Sequence, residues 1–192
     1  MSAVPKHKFT PQEYLAFERA AETRHEYFQG EIFDMAGASY EHTVVKDNLA
    51  RELGNRFKDG SCRPLTSDLR LKIDATGLYT YPDIIVLCGK PEFEDAEFDI
   101  LLNPTAVIEV LSESTEKYDR GKRFKHYQSV PSIREYVLVA QDEMLIERYV
   151  RQPDETWVIT TFKGPDAVFS FATIPVSVPF EGIYQGVEFE RK

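Results

Sequence analysis

The chain has only two cysteines, Cys62 and Cys88, and no CxxC spacing. Neither a disulfide framework nor a thiolate zinc site is expected, and both read as ordinary strand residues. Long apolar runs are missing as well. None approaches the roughly 18 residues that span a bilayer, and Met1 to Lys8 has no apolar segment of the signal-peptide kind. A soluble cytoplasmic protein with no membrane partner is the expectation. Positive charge is in deficit, with 23 Lys and Arg against 32 Asp and Glu and a net charge of −9 at pH 7. That excludes a protein that coats nucleic acid through bulk charge, while leaving room for a local basic patch. No Pro-, Gly- or Ser-rich linker, repeat or low-complexity stretch interrupts the 192 residues. One domain is expected over residues 1–192, with a core over about 10–150 and a C-terminal β extension over about 151–192.

Apolar sequence of β character is plentiful, with 42% of residues hydrophobic. Two runs stand out, Tyr81-Pro82-Asp83-Ile84-Ile85-Val86-Leu87 and Thr105-Ala106-Val107-Ile108-Glu109-Val110-Leu111, and each carries a single carboxylate. An ionised carboxylate in a buried strand is costly unless a charge partner or a metal compensates it. With no structural reason visible for either, Asp83 and Glu109 read as ligands for a divalent cation. Hard oxygen ligands without a nearby Cys pair favour Mg²⁺ or Mn²⁺ over Zn²⁺. On this reading the two charges repel one another in the metal-free protein, so removing either leaves its stability unharmed.

Local patterns place these runs. Thr10-Pro11-Gln12-Glu13 opens a helix that ends near Ala21, with Tyr14, Leu15 and Phe17 inward. His25 to Met35 reads as two short strands about a Gln29-Gly30 turn. A longer helix begins at Ser39 or Tyr40, its apolar residues Val44, Val45, Leu49, Leu53 and Phe57 recurring at helical spacing. Asp68 to Ile73 alternates as a strand and turns through Asp74-Ala75-Thr76-Gly77 into the Tyr81 run, which puts Asp68 and Asp83 on paired strands. The Glu109 run is apolar on both faces, the mark of a central, doubly covered strand. A helix follows over about Lys117 to Ser129, and its stretch KYDRGKRFKH holds five Lys or Arg against one Asp. A strand over Glu135 to Val139 and short β pieces between Met144 and Val178 complete the chain. The order implies an α/β or α+β fold with a mixed sheet flanked by helices and additional C-terminal strands.

A Pro-Asp at a strand entrance, a Glu-Val-Leu within the next strand and then a basic helix resemble the PD-(D/E)XK nuclease superfamily. The ordered set is more specifically similar to the Uma-type (Uma-two) restriction endonuclease family. It comprises Glu26 with Gly30-Glu31-Ile32, His42, Ser67-Asp68, Pro82-Asp83, Ile108 to Ser112 with Ser114-Thr115, Asp119, Gly121, Tyr127, Pro131 and Glu135-Tyr136. The resemblance implies a restriction-endonuclease-like core that hydrolyses phosphodiester bonds in DNA with Mg²⁺ held by Asp83 and Glu109. It departs from the superfamily at Leu111, which stands where a lysine belongs. In Uma-type relatives that cation has moved onto the helix, and the matching position here is Arg123. At about 100° per residue Arg123 shares a face with Asp119 and Tyr127, whereas Lys122 points roughly opposite. Being permanently protonated, Arg123 can stabilise phosphorane charge but cannot act as a base.

Supporting positions are read with their plainer alternatives. Glu26 approaches the metal or a cation, or is a turn carboxylate. His42 contacts a phosphate or carboxylate, or bonds within the first helical turn. Asp68 is a third metal ligand, or pairs with Arg70 or Lys72. Lys72 is a second candidate cation, or an exposed strand lysine. Tyr127 packs with its hydroxyl near the site. Two rivals stand beside the nuclease: a nuclease fold that binds nucleic acid without turnover, and a two-carboxylate hydrolase of another substrate class. The strand edges of the late β pieces suggest a homodimer.

Overall fold

The computed structural model describes residues 7–57 and 60–189. At the N-terminal end a capping box starts α1 (Pro11–Glu18): the Glu13 amide donates to Thr10 Oγ1 at 3.2 Å and the Thr10 amide donates to Glu13 Oε2 at 2.7 Å. Tyr14 and Leu15 are buried as expected, but Phe17 is 43% exposed and Glu18 is buried instead. Glu18 is held there by the His25 amide and imidazole and by the Tyr81 hydroxyl, each at 2.9 Å. Strands β1 (His25–Phe28) and β2 (Glu31–Asp34) form the expected hairpin. Its two turn residues, Gln29 at φ 51° and Gly30 at φ 85°, take the left-handed conformation that matches the twist of the strands. Ser39 caps α2 (Tyr40–Arg56), its Oγ accepting from the His42 amide.

The remaining strands are β3 (Cys62–Thr66), β4 (Arg70–Ile73), β5 (Leu78–Thr80), β6 (Ile84–Cys88), β7 (Ile100–Leu101), β8 (Ala106–Leu111), β9 (Glu135–Ala140), β10 (Leu145–Arg151), β11 (Trp157–Lys163), β12 (Val168–Ser170) and β13 (Ser177–Pro179). Between β8 and β9 run α3 (Glu116–Tyr118), a π-helical turn at Asp119–Arg123 and α4 (Phe124–Gln128); α5 (Phe180–Ile183) closes the chain. The strands form a six-stranded sheet in the order β11-β10-β9-β8-β6-β3, a five-stranded sheet in the order β2-β1-β5-β4-β7 and the separate β12-β13 pair. Both larger sheets are mixed, with β8 parallel to β9 and β4 parallel to β7.

The six-stranded sheet is covered on both faces. Ile84, Val86, Ile108, Val110, Val137 and Val139 pack under Val45, Leu49 and Leu53 of α2, and under Phe169, Val178 and Phe180. On the other face Ile85, Val107, Leu111 and Leu138 meet Leu71, Ile73 and Leu78 of the second sheet and Tyr127 of α4. Burial of each such side chain contributes roughly 1.5–3 kcal/mol. The Glu109 strand is therefore central, as its two-sided apolar pattern predicts.

Two further sequence expectations are overturned. The Tyr81 run is not one strand continuing from Asp68 to Ile73. It breaks at Pro82: β4 pairs with β5, whereas β6 belongs to the other sheet, between β3 and β8. A proline has no amide to give to a ladder, and here it marks the point where the chain leaves one sheet for the other. The cysteines are strand residues but not independent ones. Cys62 and Cys88 are direct cross-strand partners of β3 and β6, with Cα atoms 4.0 Å apart, and they form a disulfide. Antiparallel register brings together two positions that spacing alone leaves unrelated.

Candidate functional site

The β6–β8 ladder runs through Val86↔Ala106, Ile85↔Val107 and Ile84↔Ile108, and then stops as β6 gives way to Pro82-Asp83. Beyond that point the backbone groups of both strands need other partners, because an unpaired buried amide costs about as much as a lost hydrogen bond. The two carboxylates supply them. The Asp83 amide donates to Glu109 Oε2 at 3.1 Å, and the Val110 amide donates to Asp83 Oδ2 at 2.8 Å. Asp83 and Glu109 thus have a structural reason to be where they are, which corrects the sequence argument. Each closes the ladder for the other's strand, at the place where the strands part.

Glu109 shares the face of β8 that carries Val107 and Leu111, so its side chain meets the helix after β8. Its Oε1 accepts from the Tyr127 hydroxyl at 2.6 Å and from Arg123 Nη1 at 3.1 Å. The same guanidinium reaches Glu26 Oε1 through Nη2 at 2.9 Å and Asp119 Oδ1 through Nε at 3.0 Å, the last as an ion pair without hydrogen-bond alignment. It also lies over the Tyr118 ring, 5.0 Å from its centroid. The Thr80 hydroxyl donates to Glu26 as well. The π-helical turn carries both ends of the Asp119–Arg123 contact, and Tyr127 follows one helical turn later. On the far side His42 Nε2 stands 3.2 Å from Asp83 Oδ2, while its Nδ1 is buried without a hydrogen-bond partner among the described residues.

Burial dominates the electrostatics. It pushes Glu109 well above the ordinary carboxylate range. Asp83 and Asp119 add to the shift, and Arg123 and the Tyr127 hydroxyl oppose it. Asp119 moves up for the same first reason, again against the pull of Arg123. Burial works against the charge of Arg123, but Glu109, Tyr127, Glu26 and Asp119 together hold it above its usual value. Tyr127 is raised by burial and by Glu109, so it stays a proton donor. Three carboxylates, Glu26, Glu109 and Asp119, gather around one guanidinium, and a fourth, Asp83, is linked to Glu109 through its amide. The local charge is short of cations.

These side chains lie on a cleft of about 1340 Å³, lined further by Arg24, Phe33, Lys46, Ser112, Tyr118 and Lys122. Of the sequence-predicted residues, the cleft brings together Glu26, His42, Asp83, Glu109, Lys122 and Arg123, with Tyr127 just behind Glu109. Arg123 turns inward and Lys122 is exposed at the rim, in keeping with the predicted helical register. Two residues are not brought in. Asp68 lies in the turn before β4, its side chain 76% exposed and bound by Arg24. Lys72 is tied to Asp74 at 2.8 Å and Glu94 at 2.7 Å, on the second sheet away from the cleft. Residues the sequence reading passed over are Asp119 as a partner of Arg123, Thr80 and Tyr118. The four-residue spacing of Asp119 and Arg123 is the one signal that pointed to the first of them.

Among the described residues no three His, Cys, Asp or Glu side chains are grouped so as to hold a metal ion by themselves. A hard cation suits a smaller protein share, one or two carboxylates with water or substrate oxygens completing the shell. The donor set fits that arrangement: among the described residues Asp83 Oδ1 has no hydrogen-bond partner and Glu109 Oε2 accepts only the Asp83 amide.

Comparison with known proteins agrees with this architecture. Over most of the chain the protein resembles two uncharacterized proteins of Synechocystis sp., slr1290 and sll1609. It is 35% identical to the first over 187 residues, covering 97% of both chains. To the second it is 34% identical over 167 residues, covering 87% of this chain and 94% of the other. Its fold matches the crystal structure of "a putative nuclease belonging to DUF820" from Anabaena variabilis with a TM-score of 0.74. That match has 20% identity and covers 92% of this chain and 97% of the other. Residues 11–179 match the Uma2 family, described as "Putative restriction endonuclease". With residues 11–179 matched, most of its length, this chain belongs to the Uma2 family.

Proposed function

We propose that this protein is a divalent-cation-dependent endonuclease that hydrolyses phosphodiester bonds in DNA. The observation that carries the reading is the Asp83–Glu109 clasp on the cleft floor with the Arg123 guanidinium beside it. Asp83 and Glu109 would hold the Mg²⁺ or Mn²⁺, which when bound polarises the phosphate and lowers the pKa of an attacking water. Arg123 is fixed from three sides and permanently charged, so its task is to stabilise negative charge on the phosphate, never to remove a proton. Tyr127 holds Glu109 in place through its hydroxyl, and His42 orients Asp83. Lys122 at the rim takes a neighbouring phosphate. A homodimer belongs to the same proposal: β11 is a sheet edge on which Val158 and Ile159 are 50% and 55% exposed.

The test is nicking of supercoiled plasmid and of labelled oligonucleotides in Mg²⁺, Mn²⁺ or EDTA, with Asp83→Asn as control. Cleavage that needs the metal and disappears in the variant is the expected result. One feature favours a second reading, a nuclease fold that binds without turnover: Arg123 is already engaged by three carboxylates. Binding of DNA with no cleavage in either metal would establish that reading instead.

A further inference from the structure

Phe33 stands directly opposite Glu26 in the β1–β2 pairing. Residues directly opposite in an antiparallel pair project from the same face. Glu26 reaches Arg123, so this is the cleft face, and Phe33 lines the cleft beside it. The preceding residue, Ile32, points the other way and packs against the cluster of Tyr14, Tyr27 and Tyr79. Phe33 has no such cover: it is 45% exposed and joins none of the three apolar clusters of the fold. A bare phenyl ring opposite Glu26 on the cleft adds nothing to the core.

Cations flank the same cleft. Lys122 is exposed on one wall and has no ion pair among the described residues. Lys46 on another wall touches Ser67 Oγ at 3.4 Å and likewise meets no carboxylate. The third, Arg24, is bound to Asp68. A flat ring and two ammonium groups without carboxylate partners on one cleft are complementary to a nucleobase whose face is free and to the phosphates on either side of it. In a duplex those faces are covered by stacking. A duplex also calls for a broad basic surface, which a chain of net charge −9 with two lysines lacking carboxylate partners at its cleft does not offer.

We propose that the cleft takes single-stranded nucleic acid, a strand end or an unpaired segment, with Phe33 as the platform for one base and Lys46 and Lys122 on its phosphates. This rests on the nuclease reading of the same cleft and names its substrate class.

Binding is measured by fluorescence anisotropy on the full chain in EDTA, which prevents metal-dependent cleavage, with labelled 12-nucleotide single-stranded DNA, single-stranded RNA and duplex DNA as probes. Single strands should bind at least about tenfold tighter than the duplex. Phe33→Ala should cost about tenfold on the single strands and nothing on the duplex, and Phe33→Trp should keep the affinity, as base stacking requires. Lys122→Ala should weaken every probe and reduce the slope of log affinity against log salt by about one. The tighter of the two single strands identifies the sugar that is read; equal affinities mean recognition by stacking and phosphate alone. Duplex binding as tight as single-strand binding, or a Phe33→Ala variant that binds like wild type, overturns the proposal. The underlying reading fails separately: cleavage of duplex with no single-strand preference keeps the nuclease and removes this inference, whereas single-strand binding without cleavage of any probe in Mg²⁺ or Mn²⁺ does the reverse.

Discussion

Asp83 and Glu109 exchange backbone support across the opening between β6 and β8. The Asp83 amide donates to the Glu109 carboxylate at 3.1 Å, and the Asp83 carboxylate accepts the amide of Val110, the residue after Glu109, at 2.8 Å. The two candidate metal ligands therefore also close the central sheet where it forms the floor of the cleft.

That double duty reverses the expectation that the metal-free protein tolerates their loss. Glu109→Ala removes the acceptor of the Asp83 amide, of the Tyr127 hydroxyl and of Arg123 Nη1 at once. Breaking a buried pair by deleting one partner costs about 3–5 kcal/mol. Urea denaturation in EDTA should show a loss of that order for Glu109→Ala and a smaller one for Asp83→Ala, whose carboxylate takes one amide and His42. Wild-type midpoints for both variants would mean that the clasp carries no energy. Both should also abolish metal-dependent cleavage.

Arg123 offers a complementary test, because its guanidinium is the shared counter-charge of Glu26, Glu109 and Asp119. Arg123→Ala leaves these carboxylates facing one another, so the variant should melt lower than wild type in EDTA and recover more than wild type does when Mn²⁺ is added. Turnover should fall by about 100-fold or more, as for loss of an oxyanion donor. Arg123→Lys should lie between the two in stability, since an ammonium is a point charge without the planar fork that engages several carboxylates. Equal Mn²⁺-induced shifts in melting temperature for wild type and Arg123→Ala would refute this account of the site's charge.

Features set by local periodicity were legible in the sequence. The Thr10 capping box, the Gln29-Gly30 turn, the burial of Glu109 in a central strand and the inward register of Arg123 each depend on residues within about four positions. Features set by long-range pairing were not. Alternation along residues 68–87 reads the same whether the strands share a sheet or divide at Pro82, and it is the division that sends Asp68 to the surface and Asp83 to the cleft. Phe17 and Glu18 are adjacent on α1, and what holds Glu18 inward is His25 at the start of the next strand together with Tyr81, 63 positions away. Phe33 in the sequence is one residue of a hairpin; its place opposite Glu26 acquires meaning through the contact of Glu26 with Arg123.

His126, on α4 at the wall of the cleft, yields a pH prediction. Burial lowers its pKa below the ordinary histidine value of 6.5, and the charge of Arg123 lowers it further, against a smaller pull from Glu26. Its Nδ1 lies 2.9 Å from Thr76 Oγ1, and Phe28 packs edge-on to the ring. With the folded pKa depressed, the unfolded chain takes up the proton first. The stability contribution is complete above pH 6.5 and is lost as pH falls through the folded value. An NMR titration of the imidazole should place its midpoint below 6.5, and His126→Gln should flatten the decline of the urea midpoint between pH 7 and pH 5. A midpoint at or above 6.5 would contradict the assigned environment.

The Cys62–Cys88 bond joins β3 to β6 at the end remote from Asp83 and closes a loop of 26 positions. Cross-linking a loop of that length restricts the unfolded chain by about 3.5 kcal/mol in the chain-entropy description. Reduction with dithiothreitol should lower stability by about that amount or somewhat less, and Cys62→Ala with Cys88→Ala should do the same without reductant. Cleavage should survive reduction below the melting temperature. The bond holds the far end of β6, whereas the clasp of Asp83 and Glu109 rests on its near end and on the β8 ladder. A thiol assay on the purified chain under denaturing conditions, before and after reduction, checks the premise: no free thiols before and two after is the expected count, from the two cysteines of the chain. Two free thiols before reduction would show that β3 and β6 are held by their ladder alone, and dithiothreitol would then leave the urea midpoint unchanged.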